Sequence, residues 1–201
     1  MNNKREIKKS TVWLIVAGLI VLDQIVKVLV KTNMTLGESI HVFGDWFQWT
    51  FIENEGAAFG MKLGGSYGKL ILSLFRIIAI AALGWFIGYL FKKKAPKGVI
   101  VGFAMILAGA AGNLIDSAFY GVIFSESTFT EVATLFPSGG GYAPLLYGKV
   151  VDMLYFPLFT WPQWVPLMGG DVFFSPVFNF ADSYITIAVF YLIIFQHKFF
   201  K

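Results

Sequence analysis

Four apolar stretches in this chain each approach the length that crosses a lipid bilayer. They lie at about 12–30, 70–91, 98–116 and 179–196. A helix that crosses a bilayer needs about 20 predominantly apolar residues. In the whole chain 57% of residues are hydrophobic and only 14% are charged, which excludes an ordinary soluble domain. The sequence therefore predicts a mainly α membrane protein, with four transmembrane helices in a single domain over residues 1–201.

Basic residues cluster on one side of the predicted spans. Lys and Arg precede the first span, fill residues 92–97 and follow the fourth span, and only Glu6 opposes them there. Cytoplasmic loops carry an excess of Lys and Arg, so we expect both termini in the cytoplasm and segments 31–69 and 117–178 outside. The net charge of +4 then reflects topology rather than binding of nucleic acid. We expect the first span to be retained, because no small-residue cleavage site follows it.

The residue inventory limits the available chemistry. There is no Cys, and the two His residues fall in segments expected on opposite sides of the membrane. A zinc site, a cysteine nucleophile and a Ser-His pair are therefore not expected, and we predict no metal and no cofactor. A Ser-Lys dyad from Ser117 or Ser183 with Lys27 or Lys149 stays open. It is disfavoured because each Ser follows an Asp and would point away from the face of that Asp.

Two polar pairs stand at the ends of the third and fourth apolar stretches. Asn113 and Asp116 close the third, and Asn179 and Asp182 open the fourth with the same spacing. On a helix, that spacing puts both side chains of a pair on one face. Measured by helix rise from the cytoplasmic ends, Asp116 lies about 27 Å and Asp182 about 21 Å into the membrane. Ionisable residues at such depths indicate a functional site.

Two facing carboxylates in a low-dielectric site favour a state in which one is protonated and the other is charged. Such a pair can deprotonate a water, deliver it to an amide carbonyl and protonate the leaving amine. The sequence therefore predicts Asp116 and Asp182 as an aspartyl dyad, with the neighbouring Asn side chains orienting the carboxylates or the substrate backbone.

Three further groups each have two interpretations. Asp23 and Lys27 form an i,i+4 pair, which either neutralises two membrane charges or supports the site. Arg76 either snorkels to the headgroups or faces inward, where it balances the carboxylates or holds a substrate carbonyl. Asp152, in an apolar strand-like run, is either an ordinary turn residue or a buried carboxylate that supports the dyad.

The two external segments differ in character. Residues 41–43 and 46–52 are rich in β-branched and aromatic residues and flank a Gly-Asp turn signal, which predicts a small extracytoplasmic β-hairpin or sheet. Residues 117–178 hold six of the seven prolines and are too broken by Pro and Gly to form another span. We predict a long extracytoplasmic insertion on the membrane surface before the last helix.

Five motifs, in this order, resemble lipoprotein signal peptidase (signal peptidase II). They are DQIVK (23–27), NEGAAFG (54–60), AGAAGNLID (108–116), VVD (150–152) and FNFAD (178–182). The resemblance implies an aspartyl endopeptidase of the bacterial cytoplasmic (inner) membrane, with its active site facing the outer leaflet. It implies cleavage of diacylglyceryl-modified prolipoproteins just before the lipidated Cys, with membrane lipids as the other partner. We expect a monomer.

The resemblance carries over residue by residue. It implies Asp116 and Asp182 as the catalytic dyad. It also implies a set of supporting and substrate-facing residues, namely Asp23, Lys27, Asn54, Asn113, Asp152 and Asn179. We add Gly56 and Arg76 to this set.

Two features depart from the family pattern. The family commonly continues the GN-x-x-D motif with Arg, where this chain has Ser117. Arg76 and Lys149 are the candidates to supply that charge. Residues 120–148 have no counterpart that we can place. They are either a tolerated surface insertion or a lid or partner-docking element.

The main alternative is a small ion- or proton-coupled carrier, because intramembrane carboxylates also mark transport pathways. Carriers place their sites near the midplane with access from both sides. The cytoplasmic halves of the four predicted spans contain no charged residue. This one-sided polarity favours an enzyme. A non-catalytic scaffold would leave the two matched Asn-x-x-Asp pairs unexplained.

Overall fold

Helices lie at all four apolar stretches. In a computed structural model, residues 7–55 and 67–199 are described, and the elements below refer to them. The helices are α1 (Lys9–Asn33), α2 (Gly68–Lys92), α3 (Lys97–Ile115), α4 (Gly121–Ile123) and α5 (Phe180–Phe195). A π-helical turn, Asp116–Tyr120, joins α3 to α4, and a 3-10 turn, His197–Phe199, follows α5.

The strands form a sheet that is larger than the predicted hairpin. They are β1 (Ser39–Phe43), β2 (Phe47–Asn54), β3 (Val150–Tyr155), β4 (Phe159–Thr160), β5 (Val172–Phe173) and β6 (Val177–Phe178). The β1–β2 hairpin is confirmed, and Gly44 in its turn has φ +50°, a backbone region that favours glycine. Strands β3 and β6 extend it to an antiparallel sheet in the order β1-β2-β3-β6, while β4 and β5 form a separate hairpin.

Three helices have the length and composition of membrane spans. Helices α1 and α2 have 25 residues each, and α3 runs through the π turn to the end of α4 over 27 residues. Helix α5 has 16 residues. At 1.5 Å per residue it is about 24 Å long, which is less than a hydrocarbon core of about 30 Å.

The helix surfaces fit a lipid environment. Large apolar side chains on the outer faces of α2 and α5 are mostly exposed, among them Ile78, Trp85, Phe190 and Ile193. An apolar surface of this extent is not tolerated in water. The chain is therefore a multi-pass membrane protein.

Helix α5 packs antiparallel against α3 along a row of small residues. A side chain added at Gly102 would overlap Leu192 at 2.7 Å, and one at Gly109 would meet the carbonyl oxygen of Ala181 at 2.3 Å. Glycine lets the two backbones approach closely. This contact brings the C-terminal end of α3 next to the N-terminal end of α5.

Two apolar clusters enclose a polar layer. One cluster contains Val12 and Val16 of α1 and reaches Leu192 of α5. The other contains Val30 and Met34 of α1 with residues of the sheet. Asp23 and Lys27 lie between the two clusters on α1 and are buried. The sequence-predicted polar residues therefore meet in one layer.

The segment between α4 and β3 folds back on the π turn. Among its described residues there is no helix, and the sequence predicted no further span here from the Pro and Gly content. The Gly148 amide donates to the Ser117 carbonyl at 2.8 Å. A Cβ at Gly148 would lie 2.1 Å from the Asp116 carbonyl oxygen, so only glycine fits at this crossing. This return leads the chain into β3 beside the end of α3.

Candidate active site

Asp116 is fully buried and both of its carboxylate oxygens are occupied. Lys27 Nζ lies 2.8 Å from Oδ2. The Val151 amide donates to the same oxygen at 3.2 Å, and Gln24 Nε2 donates to Oδ1 at 2.8 Å. These contacts tie the end of α3 to α1 and β3. They leave Asp116 without solvent access.

Lys27 is the centre of a buried charge cluster. Its ammonium also lies 3.0 Å from Asp23 Oδ2 and donates to Asn113 Oδ1 at 2.8 Å. Asp23 Oδ1 accepts a hydrogen bond from the Ala181 amide at 2.9 Å. Buried charges need such partners. The Asp23–Lys27 pair therefore does more than neutralise itself, because it joins α1 to α3 and to the start of α5.

Asp152 lies on β3 and is held by amides rather than by a cation. Its Oδ1 accepts from Asn179 Nδ2 at 2.6 Å, and its Oδ2 accepts from Asn54 Nδ2 at 3.2 Å. Burial, followed by the nearby negative charge of Asp182, raises the pKa of Asp152 to about 7. At neutral pH a large share of Asp152 is therefore protonated.

Asp182 lies in the first turn of α5 and is half-buried. The side chain of Asn179 caps this helix, because its Oδ1 accepts from the Asp182 amide at 2.9 Å. Asp182 Oδ1 accepts from Asn113 Nδ2 at 2.7 Å. Of the three carboxylates around the two Asn residues, Asp182 is the most accessible.

The two Asn side chains connect all three carboxylates. Asn179 Nδ2 donates to Asn113 Oδ1 at 3.1 Å. Through Asn179 this pair reaches Asp152 and the Asp182 backbone, and through Asn113 it reaches Lys27 and the Asp182 carboxylate. Asn179 thus lies between Asp152 and the backbone of Asp182. Lys27 lies between Asn113 and Asp116.

Arg76 faces the site rather than the headgroups. Its Nη1 donates to Ser117 Oγ at 2.6 Å, and that hydroxyl donates to the Asn113 carbonyl at 3.0 Å. This is the only side-chain hydrogen bond of Arg76 within residues 7–55 and 67–199. Its charge acts first on Asp182 and also on Asp116 and Asp152. A half-buried guanidinium therefore stands beside the carboxylates with donors to spare.

Gln24 also contacts the candidate site, although the sequence motifs did not predict it as a site residue. Besides Asp116, its Nε2 donates to the Gly112 carbonyl at 3.2 Å, and its Oε1 accepts from the Tyr120 hydroxyl at 3.2 Å. The available signal was its position, since a polar amide directly after Asp23 in an apolar span needs buried partners. Gly56 lies outside the described residues, as does most of the NEGAAFG motif.

The Ser-Lys alternative does not match the geometry. Ser117 Oγ donates to a backbone carbonyl, and so does Ser183 Oγ, to Asn179 at 3.0 Å. Lys27 is engaged by Asp116 and Asp23, and Lys149 lies near Glu53 and Glu126. Within the described part of the chain, no three His, Cys, Asp or Glu side chains are grouped as metal ligands.

Comparison with known proteins identifies the family. The family described as signal peptidase (SPase) II matches residues 15–198. The chain belongs to the signal peptidase II family. This membership assigns it to the aspartic peptidases that cleave prolipoprotein signal peptides, and the carrier alternative is not favoured.

Individual relatives support the same family. The chain is 50% identical over 189 residues to a lipoprotein signal peptidase of Porphyromonas gingivalis, covering 90% of this chain and 81% of that one. It is 38% identical to a lipoprotein signal peptidase of Amoebophilus asiaticus, covering 85% of this chain and 70% of that one. A solved bacterial membrane enzyme, determined by the in meso method, superposes with a TM-score of 0.63 at 27% identity and covers 95% of each chain.

Proposed function

We propose that this signal peptidase II family member cleaves diacylglyceryl-modified prolipoproteins just before the lipidated Cys, and that Asp152 and Asp182 are its reacting carboxylates. The observation that carries this assignment is the shared Asn179. Its side chain binds the Asp152 carboxylate and the Asp182 backbone amide at once. Asp152 and the first turn of α5 therefore meet at Asn179, and the negative charge of Asp182 is near enough to raise the pKa of Asp152.

Asp116 is the partner of Asp182 that the spacing predicts, and its surroundings disfavour that role. Both of its oxygens already accept hydrogen bonds, one of them from Lys27, and its side chain is fully buried. A reacting carboxylate must come within hydrogen-bond distance of the water or of the substrate. We assign Asp116, with Lys27 and Asp23, to holding α1, α3 and β3 together.

The protonation states suit the hydrolysis of an amide. With a pKa of about 7, Asp152 holds a proton for much of the time at neutral pH. The charged Asp182 then takes a proton from a water, which attacks the scissile carbonyl carbon. Asp152 donates its proton to the carbonyl oxygen, which gives a diol intermediate. The C–N bond then breaks as the proton gained by Asp182 passes to the leaving nitrogen, and one hydroxyl of the diol returns its proton to Asp152 to form the carboxylic acid product. In this sequence Asp152 acts first as the acid and Asp182 as the base.

Arg76 is suited to hold the substrate. Its charge interacts with that of Asp182, it has N–H groups besides the one bound to Ser117, and a peptide backbone that enters the site offers carbonyl acceptors. The hydrogen bond to Ser117 fixes the guanidinium from the side of α3. We propose that Arg76 binds a substrate carbonyl near the scissile bond.

The same site fits a four-span topology with extracytoplasmic access. The basic flanks favour cytoplasmic termini. Helix α5 is short because it begins at the site, below the sheet, with β6 directly before its Asn179 cap. We propose that α5 is the fourth span and that the sheet lies at the outer leaflet, in a single-domain monomer of the bacterial cytoplasmic membrane.

A direct test uses two forms of one substrate. Purified protein in lipid is incubated with a prolipoprotein that carries the diacylglyceryl group on its Cys, and with the same chain unmodified. We expect release of the signal peptide from the lipidated form only. The Asp182→Asn variant serves as the inactive control. Equal cleavage of both forms would remove the lipid requirement, and no cleavage of either would remove the proposed substrate.

A further inference from the structure

A second polar cluster lies beside the candidate active site and includes side chains from residues 120–148, for which the sequence motifs gave no counterpart. Lys31 on α1 is ion-paired with Glu53 on β2. The Ser127 hydroxyl accepts from Lys31 Nζ at 2.8 Å and donates to Glu53 Oε1 at 3.0 Å. All three side chains are buried. Ser127 belongs to residues 120–148.

Aromatic rings enclose the Lys31 ammonium. Its Nζ lies 5.0 Å from the ring centroid of Tyr142, 5.4 Å from that of Phe124 and 6.0 Å from that of Phe51. Cations within about 6 Å of an aromatic centroid are attracted by the ring quadrupole. We call these six residues the Lys31 cage, and they are Lys31, Phe51, Glu53, Phe124, Ser127 and Tyr142.

Lys149 connects the cage to the start of β3. Its Nζ lies 3.4 Å from Glu53 Oε2 and 5.4 Å from the Tyr142 ring centroid. Its backbone amide donates to the Tyr142 hydroxyl at 2.7 Å. The cage therefore fixes both the backbone and the side chain of the residue directly before Val150.

The cage and the candidate dyad use opposite faces of the same strand pair. Glu53 pairs with Val151 in the β2–β3 ladder, and Asn54 pairs with Val150. Successive side chains of a strand point to opposite faces. Glu53 thus reaches the cage while Asn54 reaches Asp152. A shift of β2 relative to β3 would separate Asn54 from Asp152.

We propose that the Lys31 cage positions the reacting carboxylate, with the inserted segment closing it over the back of the sheet. Lys31 and Glu53 are then positioning residues that hold β2 and β3 so that Asn54 and Asn179 bind Asp152. This proposal rests on the proposed function of Asp152. It gives residues 120–148 a task in the reaction besides covering the surface.

Stability alone does not require such a cluster. Well-packed apolar residues often replace a buried ion pair at no cost, whereas removal of one partner leaves an unpaired buried charge. What the ion pair adds is a fixed geometry, since the Lys31 ammonium must meet Glu53 and Ser127 at once. When β2 and β3 keep a fixed arrangement, Asp152 stays buried and shielded from water.

The test compares the pH dependence of kcat/KM in folded variants. The variants are Lys31→Met, which breaks the ion pair, the double variant Lys31→Met with Glu53→Met, which removes both charges, and Ser127→Ala. Glu126→Gln is the matched control, because Glu126 is next to Ser127 in the chain but is exposed. Its ion pair is with Lys149, which lies outside the Lys31 cage. Cleavage of the diacylglyceryl prolipoprotein is followed between about pH 5 and 9.

We expect the double variant to lose at least about tenfold in kcat with little change in KM. We also expect its alkaline limb to move to lower pH by about half a unit or more, because water reaches Asp152 and its proton is lost earlier. The groups that face Asp152 in this comparison are Asp182 of α5, Lys27 of α1 and Arg76 of α2. None of them is changed in the variants. Ser127→Ala should shift both quantities in the same direction by less, and Glu126→Gln should match the wild type.

One result for the double variant would overturn the proposal. The variant would unfold cooperatively at the wild-type temperature and would keep the wild-type kcat and alkaline limb. If Lys31→Met does not fold, the double variant and Ser127→Ala still decide it. Failure of the proposed function is distinct, because then the wild type itself would not cut the lipidated substrate.

Discussion

The two Asn-x-x-Asp pairs have the same spacing and opposite surroundings. Asn113 and Asp116 end α3, where the chain enters the π turn, and Asp116 is enclosed by Lys27 and Gln24. Asn179 and Asp182 begin α5, where the Asn caps the helix and the Asp stays half-exposed. Equal spacing therefore does not mean equal roles. The partners differ, because Asp116 is buried against a cation and Asp182 stays partly accessible.

A third carboxylate completes the comparison. Asp152 accepts hydrogen bonds only from the neutral amides of Asn54 and Asn179 among the described residues. A cation beside Asp116 and neutral donors beside Asp152 are opposite solutions to the burial of a negative charge. The second lets Asp152 exchange a proton near neutral pH.

The largest expected effect is on catalysis. Asp182→Asn should lower the cleavage rate by about 10³-fold or more, because the group that takes the proton from water is lost. The fold should remain, since the Asn179 cap uses the backbone amide at this position. Single-turnover cleavage measures this rate, with the enzyme in excess over the substrate and both concentrations above the Kd. A loss of less than tenfold would contradict a reacting role for Asp182.

The next effect is on stability. Lys27→Met leaves Asp23 and Asp116 buried without their shared cation, and should lower the free energy of unfolding by about 3–5 kcal/mol. Thermal unfolding in detergent measures it. Lys97→Met, at the exposed start of α3, is the control and should change little. An unchanged unfolding temperature in Lys27→Met would refute the structural role of the Asp116 pair.

A pH-dependent effect on stability tests the surroundings of Asp152. The pKa of Asp152 is raised to about 7 in the folded chain, so its contribution to stability is fully present below its unfolded pKa near 4 and is lost as pH rises to 7. Asp152→Asn should therefore gain on the wild type between about pH 4 and 7, by a few kcal/mol at most, with no further gain above pH 7. Unfolding temperatures of both proteins across this range measure the gain. A difference that does not vary with pH would contradict the raised pKa.

The smallest effect concerns substrate binding. Arg76→Gln should raise KM by about tenfold with a smaller change in kcat, because a charged hydrogen bond to a substrate carbonyl is worth on the order of 1.5 kcal/mol or more. Ser117→Ala removes the hydroxyl that accepts a hydrogen bond from Arg76 Nη1 at 2.6 Å. It should raise KM by a smaller factor. Steady-state kinetics measures both. An unchanged KM in Arg76→Gln would remove the substrate-holding role.

Much of the fold could be predicted from the sequence because it follows local rules. Apolar length gave the positions of the helices, and the Gly-Asp turn signal gave the β1–β2 hairpin. Asp23, Lys27, Asn113 and Asn179 were predicted to support the site, and the structure joins their side chains in one cluster, since buried polar groups in apolar segments need one another.

The distinction among the carboxylates depends on long-range pairing. Strand β3 pairs with β6, with Leu154 opposite Phe178, and this places Asp152 beside the start of α5. The return of the chain at Gly148 brings Val151 against Asp116. Neither contact can be read from spacing along one helix. The sequence reading therefore gave Asp152 a supporting role and paired Asp182 with Asp116.

The most direct measurement compares three variants in one cleavage assay. Asp116→Asn, Asp152→Asn and Asp182→Asn are incubated with the diacylglyceryl prolipoprotein, and released signal peptide is scored per folded molecule. We expect no cleavage by Asp152→Asn or Asp182→Asn, and retained cleavage by the folded fraction of Asp116→Asn. Cleavage by folded Asp152→Asn, together with its loss in folded Asp116→Asn, would contradict our assignment and restore the dyad of Asp116 and Asp182.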